Sequence, residues 1–254
     1  MTHVKAALGE TRHRPWPLPE EPWLVSLRWV DRLFAHWRVP AAALRRVVPP
    51  QLELEAEDGD AWLGVVACEI SRVRLRGTVP VPGFSSFPEL DLRTYVTAGG
   101  RPGIYHLSLD APLWTVVRAA QRKYGLPYFH SRVERRERGD GWIEFSSERR
   151  PGPRPPAAFA ARYRPLGGRL RLAPDATARR LAERYCVYSV DAAGRVLRGE
   201  LHQLPSDLRA ARAEIARNTV AEPFGLPLTG EPLLNFSPRQ GAVLWPFRPL
   251  AAGD

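Results

Sequence analysis

Only two lysines, Lys5 and Lys123, occur in the 254 residues, against 35 arginines. Cysteine is as scarce. Cys68 and Cys186 lie far apart and are too few for a disulfide scaffold or a four-cysteine metal site. No stretch approaches 18 uninterrupted apolar residues, which excludes a transmembrane helix. The first residues lack the basic-then-apolar pattern of a secretory leader, so a cytoplasmic protein is expected. No glycine cluster has the spacing of a dinucleotide loop or P-loop, and no Gly-x-Ser-x-Gly elbow occurs. The six histidines never fall as His-x-x-x-His. These gaps argue against four common enzyme classes, and neither metal nor cofactor is expected.

What is present is an ordinary globular composition, 44% apolar and 25% charged, enough for one large domain or two small ones. The formal charge of +10 invites a nucleic-acid reading. Yet the arginines are scattered among Asp and Glu, and the scarcity of lysine and asparagine fits GC-rich codons or a hot habitat. A solvated surface is the expected role. A basic nucleic-acid or membrane-surface protein stays as the distant alternative.

Residues 1–22, with four prolines from Pro15 to Pro22, read as an arm lying over the domain or frayed. A strand is expected from Trp23 to Trp37, with Val25, Leu27, Trp29, Asp31 and Leu33 on one face. A short helix over 41–48 and a hairpin turning at Asp58-Gly59-Asp60 follow. A second hairpin joins 89–97 to 103–110 across Gly99-Gly100. A helix over 112–124 stops at Gly125, and a third hairpin turns at Asp140-Gly141. Residues 151–156 read as a rigid loop inside one domain. A strand over 157–163, a helix over 175–184 and strands over 186–190 and 195–202 come next. Residues 207–217 are ambiguous between helix and strand, and strands over 233–236 and 242–247 end the pattern. Roughly ten hairpin-linked strands and a few short helices predict an α+β, mainly β, antiparallel sheet, curled into a barrel.

The informative stretch is Phe87-Pro88-Glu89-Leu90-Asp91-Leu92-Arg93-Thr94-Tyr95-Val96. Strand alternation puts Glu89, Asp91, Arg93 and Tyr95 on one face and Leu90, Leu92 and Val96 on the other. Across the hairpin, Ile104, His106, Ser108 and Asp110 oppose Tyr105, Leu107 and Leu109. Alternation alone favours a solvent-facing outer surface for this polar side. If it faces inward instead, Glu89 and Arg93 would pair and orient a polar ligand.

Leu33-Phe34-Ala35-His36-Trp37-Arg38-Val39-Pro40 resembles the opening signature of the uncharacterised YqjF-like family, and so does the 87–96 stretch. Gly125-Leu126-Pro127-Tyr128, Leu181-Ala182-Glu183-Arg184-Tyr185, Asn218-Thr219 with Gly225-Leu226-Pro227, and Val243-Leu244-Trp245-Pro246 extend the likeness over roughly residues 23–248. The resemblance implies the fold of the acetoacetate decarboxylase-like superfamily. That is a single-domain, cone-shaped antiparallel β-barrel over about 23–250, with a buried pocket and a few short peripheral helices. Decarboxylases of that superfamily form a Schiff base on a lysine that follows a proline. Here Tyr128 follows Pro127, so the decarboxylase chemistry does not carry over. Lys123 reads as a helix C-terminal cation rather than a displaced nucleophile.

Glu89, Arg93, Tyr95, His106 and Tyr128 are then the expected ligand-binding residues, and Glu89, His36 and Tyr128 the candidates for any catalysis. His36 is either a neutral core histidine or a proton-transfer group. Glu183-Arg184-Tyr185 suggests an internal ion pair. The leading reading is a barrel that binds a small carboxylate or carbonyl compound without the Schiff-base lysine. A lysine-independent lyase, hydrolase or isomerase on such a compound is the alternative, and a homo-oligomer stays open.

Overall fold

A computed structural model describes residues 3–150 and 155–250. The expected loop at 151–156 therefore lies mostly outside the described residues. The chain opens with helix α1 (His3–Leu8), then a 16-residue strand β1 (Val25–Pro40) and one turn of helix, α2 (Ala41–Arg45). Two short strands, β2 (Glu53–Leu54) and β3 (Ala56–Glu57), precede the long β4 (Asp60–Leu75). The hairpin of β5 (Phe87–Ala98) and β6 (Arg101–Ala111) turns at Gly99 and Gly100. Their φ angles of 57° and 68° supply the left-handed pair that a tight two-residue turn needs. Helix α3 (Trp114–Tyr124) crosses to β7 (Tyr128–Glu137), followed by β8 (Ile143–Arg149) and β9 (Ala158–Leu166). Helix α4 (Thr177–Ala182), β10 (Cys186–Val190), β11 (Val196–Gln203), β12 (Arg209–Asn218) and β13 (Leu233–Pro249) complete the order.

Helix α1 lies on the sheet, with Val4 and Ala7 packed on Val243 and Trp245. Residues 209–218 form a strand: β9 pairs with them along their length, and pairing overrides a helix-like composition. The two expected C-terminal strands are one, because β1 supports the whole run from Leu233 to Leu244. The sheet is not wholly antiparallel, since β7 and β10 both pair β6 in parallel. Helix α3 carries the chain back over the sheet, and such a crossover returns a strand in parallel.

The thirteen strands among the described residues form one sheet. Its path runs β11-β10-β6-β7-β8-β9-β12-β13-β1-β4-β5-β2, and β11 also pairs β13 while β6 also pairs β5. These extra pairings close two circuits that share β13, β1, β4, β5 and β6. Strands β4 and β5 therefore have two interior faces. One carries Leu63, Val65, Leu90 and Leu92 into the main apolar core with Phe145, Phe159 and Tyr163. The other faces a cavity. Among the described residues no helix is long and apolar enough to cross a membrane.

Candidate ligand-binding cavity

The cavity holds about 300 Å³ and lies inside the circuit that includes β10 and β11. Most of its wall is apolar, with Leu27, Trp29, Ile70, Val116, Leu244 and Phe247 among the contributors. A compact polar group interrupts that wall: Arg32, Glu89, Asp91, Arg93, His106 and Tyr128. Alternation along β5 presents Glu89, Asp91 and Arg93 together, and all three are buried. The polar face of the hairpin thus points inward. On β6 a register shift opposite Leu92 and Arg93 turns Leu109 rather than Ser108 into the cavity. Asp110 instead takes an internal ion pair with Arg149 at 2.9 Å and a hydrogen bond from Ser131 at 2.6 Å.

The expected Glu89–Arg93 pair does not form. They lie four positions apart, roughly 13 Å along a strand, and Asp91 stands between. Tyr128 donates a 2.6 Å hydrogen bond to Glu89, while Arg93 has Asp91 at 3.8 Å. Asp91 also faces His106 at 3.9 Å. Behind the wall, Arg93 donates to the Tyr95 hydroxyl at 3.2 Å, and Tyr95 shares a 2.6 Å hydrogen bond with His36. His36 and Tyr95 do not line the cavity. They hold Arg93 from behind, and Arg93 also donates to the Leu181 carbonyl at 3.4 Å.

Arg32 is a cavity residue that alternation does not reveal. Asp31 adopts φ 48° and forms a bulge against β4 between Val30 and Leu33. The extra residue reverses the faces of β1. Val25, Leu27 and Trp29 face the cavity before it, and Arg32, Phe34 and His36 continue that side after it. Arg32 stacks on Trp29 and Phe34, its guanidinium 4.6 Å from each ring centroid. Among the described residues its Nε and Nη2 have no hydrogen-bond partner. A buried guanidinium with unused donors is costly, which marks it as a group held ready for a partner.

Burial sets the protonation states. Burial and then the charge of Arg93 push Arg32 down to about 10, so it stays cationic at neutral pH. Burial raises Glu89 to about 8 against the opposing Tyr128 hydrogen bond, so it is mostly neutral at pH 7. Asp91 is raised to about 6 by burial, with Arg93 and Arg32 holding it from rising further, and is mostly ionised. Burial and Arg93 lower His106 to about 3, and burial likewise keeps His36 neutral. Two guanidiniums against one carboxylate leave a surplus positive charge in a low-dielectric space. The Cys68 thiol on the wall is pushed well up by burial and by Glu89, which removes it as a thiolate nucleophile.

Of the expected site residues, the structure brings Glu89, Arg93, His106 and Tyr128 together and sets Tyr95 and His36 one layer back. Both lysines are exposed and neither lines the cavity. Lys123 lies in the last turn of α3, as a helix C-terminal cation would. The Glu183–Tyr185 stretch supplies an ion pair from Arg184 to Glu55 at 2.8 Å. Among the described residues no three His, Cys, Asp or Glu side chains converge as metal ligands would.

A profile of the family DUF2071, described as an uncharacterised conserved protein, matches residues 26–241. The uncharacterised protein YqjF of Bacillus subtilis (strain 168) is 37% identical over 232 residues, 91% of this chain and 94% of YqjF. Among solved structures, the enduracididine biosynthesis enzyme MppR complexed with pyruvate aligns with a TM-score of 0.67. That alignment has 15% identity and covers 94% of this chain and 93% of MppR. An acetoacetate decarboxylase-like enzyme from Sphingomonas wittichii RW1 aligns with a TM-score of 0.65 and 14% identity, covering 94% of this chain and 98% of that one. At such identities these two show the shared fold.

Proposed function

The chain belongs to the DUF2071 family of uncharacterised conserved proteins, and from that premise we propose that its interior cavity binds a small organic carboxylate or carbonyl compound without a Schiff-base lysine. The closed sheet would be the cone-shaped barrel of the acetoacetate decarboxylase-like fold. One observation carries the reading. Arg32, with unused buried donors, faces the same space as Arg93 within a mostly apolar wall. A ligand carboxylate would neutralise the surplus charge and accept those donors, which planar guanidinium geometry suits. MppR, with the same fold, is described in complex with pyruvate, a 2-oxo acid, which supports the ligand class. Both lysines are exposed, and on the cavity wall Tyr128, the residue that follows Pro127, donates to Glu89.

Calorimetric titration with pyruvate at pH 6, 7 and 9 tests the reading. As pH rises through about 8, Glu89 ionises and cancels the surplus charge, so affinity falls. Absence of binding at every pH, or affinity that is unchanged across that range, contradicts the proposal.

A second reading has its own support. Glu89, neutral at pH 7 and 2.6 Å from Tyr128, is placed to give a proton to a bound carbonyl compound or to take one after ionising. That suits a lysine-independent lyase, hydrolase or isomerase. Proton exchange at the C3 methyl group of pyruvate in deuterated water, followed by nuclear magnetic resonance, would show it. Exchange in wild type that Glu89→Gln removes supports catalysis; equal exchange with and without protein argues for binding alone.

A further inference from the structure

The polar group occupies only part of the cavity wall. Elsewhere Leu27, Trp29, Val116, Tyr124, Leu244 and Phe247 line it, and each is only half-buried although the cavity lies inside the sheet. Their remaining accessible surface therefore includes apolar area turned toward the cavity. A volume of about 300 Å³ reaches the lower end of the range that suits drug-sized ligands. A three-carbon acid held on Arg32 and Arg93 would leave much of this apolar wall uncovered.

We propose that the ligand is an amphipathic acid, a carboxylate joined to an alkyl chain or aromatic ring, with the carboxylate on Arg32 and Arg93 and the apolar part against Trp29, Val116 and Phe247. This rests on the carboxylate reading and adds the second half of the molecule. The acid group is fixed by guanidinium donors, and the apolar part gains by leaving water. Selectivity among acids then follows the apolar group. Helix α3, which brings Val116, Ala119 and Tyr124 to the wall, sets how long that group can be.

Binding of propanoate, hexanoate, 3-phenylpropanoate and hexan-1-ol to the purified full-length protein, measured by calorimetry at pH 7, tests this. Three added methylenes should make hexanoate about 50-fold tighter than propanoate, with 3-phenylpropanoate at least as tight as hexanoate. Equal affinity for propanoate and hexanoate overturns the amphipathic ligand and leaves the carboxylate reading standing. Hexan-1-ol matching hexanoate overturns the carboxylate reading, and so does failure of every acid to bind. In Val116→Trp, the added ring should erase most of hexanoate's advantage over propanoate. An undiminished advantage in that folded variant would also overturn the proposed placement.

Discussion

Arg32 and Glu89 reach the same cavity by different routes, and only one route is written in the alternation. Glu89 stands on an unbroken run of β5, so its face follows from counting by two, and the company of Asp91 and Arg93 follows with it. Alternation does not say whether that face meets water or an interior, because β5 is buried on both sides. Nor does it assign partners, since Asp91 takes the place beside Arg93 that Glu89 was expected to fill. Arg32 was hidden by the bulge at Asp31, a residue whose local conformation inverts everything after it. Glu89 also carries a measurable signature. Its carboxyl keeps its proton to about pH 8 in the folded state, against an ordinary value of 4.5 when unfolded. Between those values the unfolded chain has lost a proton that the native protein retains, so stability falls as pH rises. Below 4.5 the effect is absent, and above 8 it is complete. Glu89→Gln, which can still accept from Tyr128, should remove this slope. Urea unfolding at pH 5, 6, 7 and 8 should show the variant gaining on wild type by up to about 1.4 kcal/mol per pH unit. Parallel pH profiles would mean that Glu89 is ionised in the native state.

At the scale of elements, β4 is the hinge of the design because Gly64 pairs with His36 on one side and Arg93 on the other. A Cβ at Gly64 would sit 2.7 Å from His36 Cδ2 and 2.8 Å from Nε2. The missing side chain is what lets His36 on β1 reach Tyr95 on β5 and so fix Arg93. Gly64→Ala should cost about 1–3 kcal/mol and weaken carboxylate binding with it; a variant with wild-type urea midpoint and affinity would show that the His36–Tyr95–Arg93 chain tolerates displacement. The hairpins β5–β6 and β7–β8 were legible from their glycines and alternation, and α3 from its apolar stripe and Gly125. Of the first expected hairpin only Ala56 and Glu57 pair β4, and Glu53 and Leu54 pair β5 instead. The strand β12 was not, because Ala-rich, Arg-rich composition suits a helix and only the facing β9 decides the matter. The length of β13 was equally unreadable, since Pro238 and Gly241 look like punctuation until β1 pairs across them.

Across the whole molecule the two circuits share their central strands, so neither half can be removed without exposing the other. Strand β13 alone pairs β1, β11 and β12. We therefore expect one cooperative unfolding transition, with coincident melting by fluorescence and circular dichroism; two separated transitions would divide the chain into independent units. The N-terminal segment joins the same unit. Arg14 is buried, pairs with Glu200 and lies 5.2 Å from the Trp16 ring. The likeness to a known family pointed to a closed sheet with an interior pocket, but the two circuits, the parallel pairings and the docked α1 emerge only from long-range pairing. The central claim concerns the surplus charge in the cavity. Arg32→Met keeps a flexible apolar chain between Trp29 and Phe34 while deleting the guanidinium whose donors are unused. Calorimetric titration of hexanoate into this variant at pH 7, with urea unfolding alongside, tests that claim most directly. The account predicts at least about tenfold weaker binding in a protein as stable as wild type or more stable by about 1 kcal/mol or more. A folded variant that binds hexanoate as wild type does would contradict it.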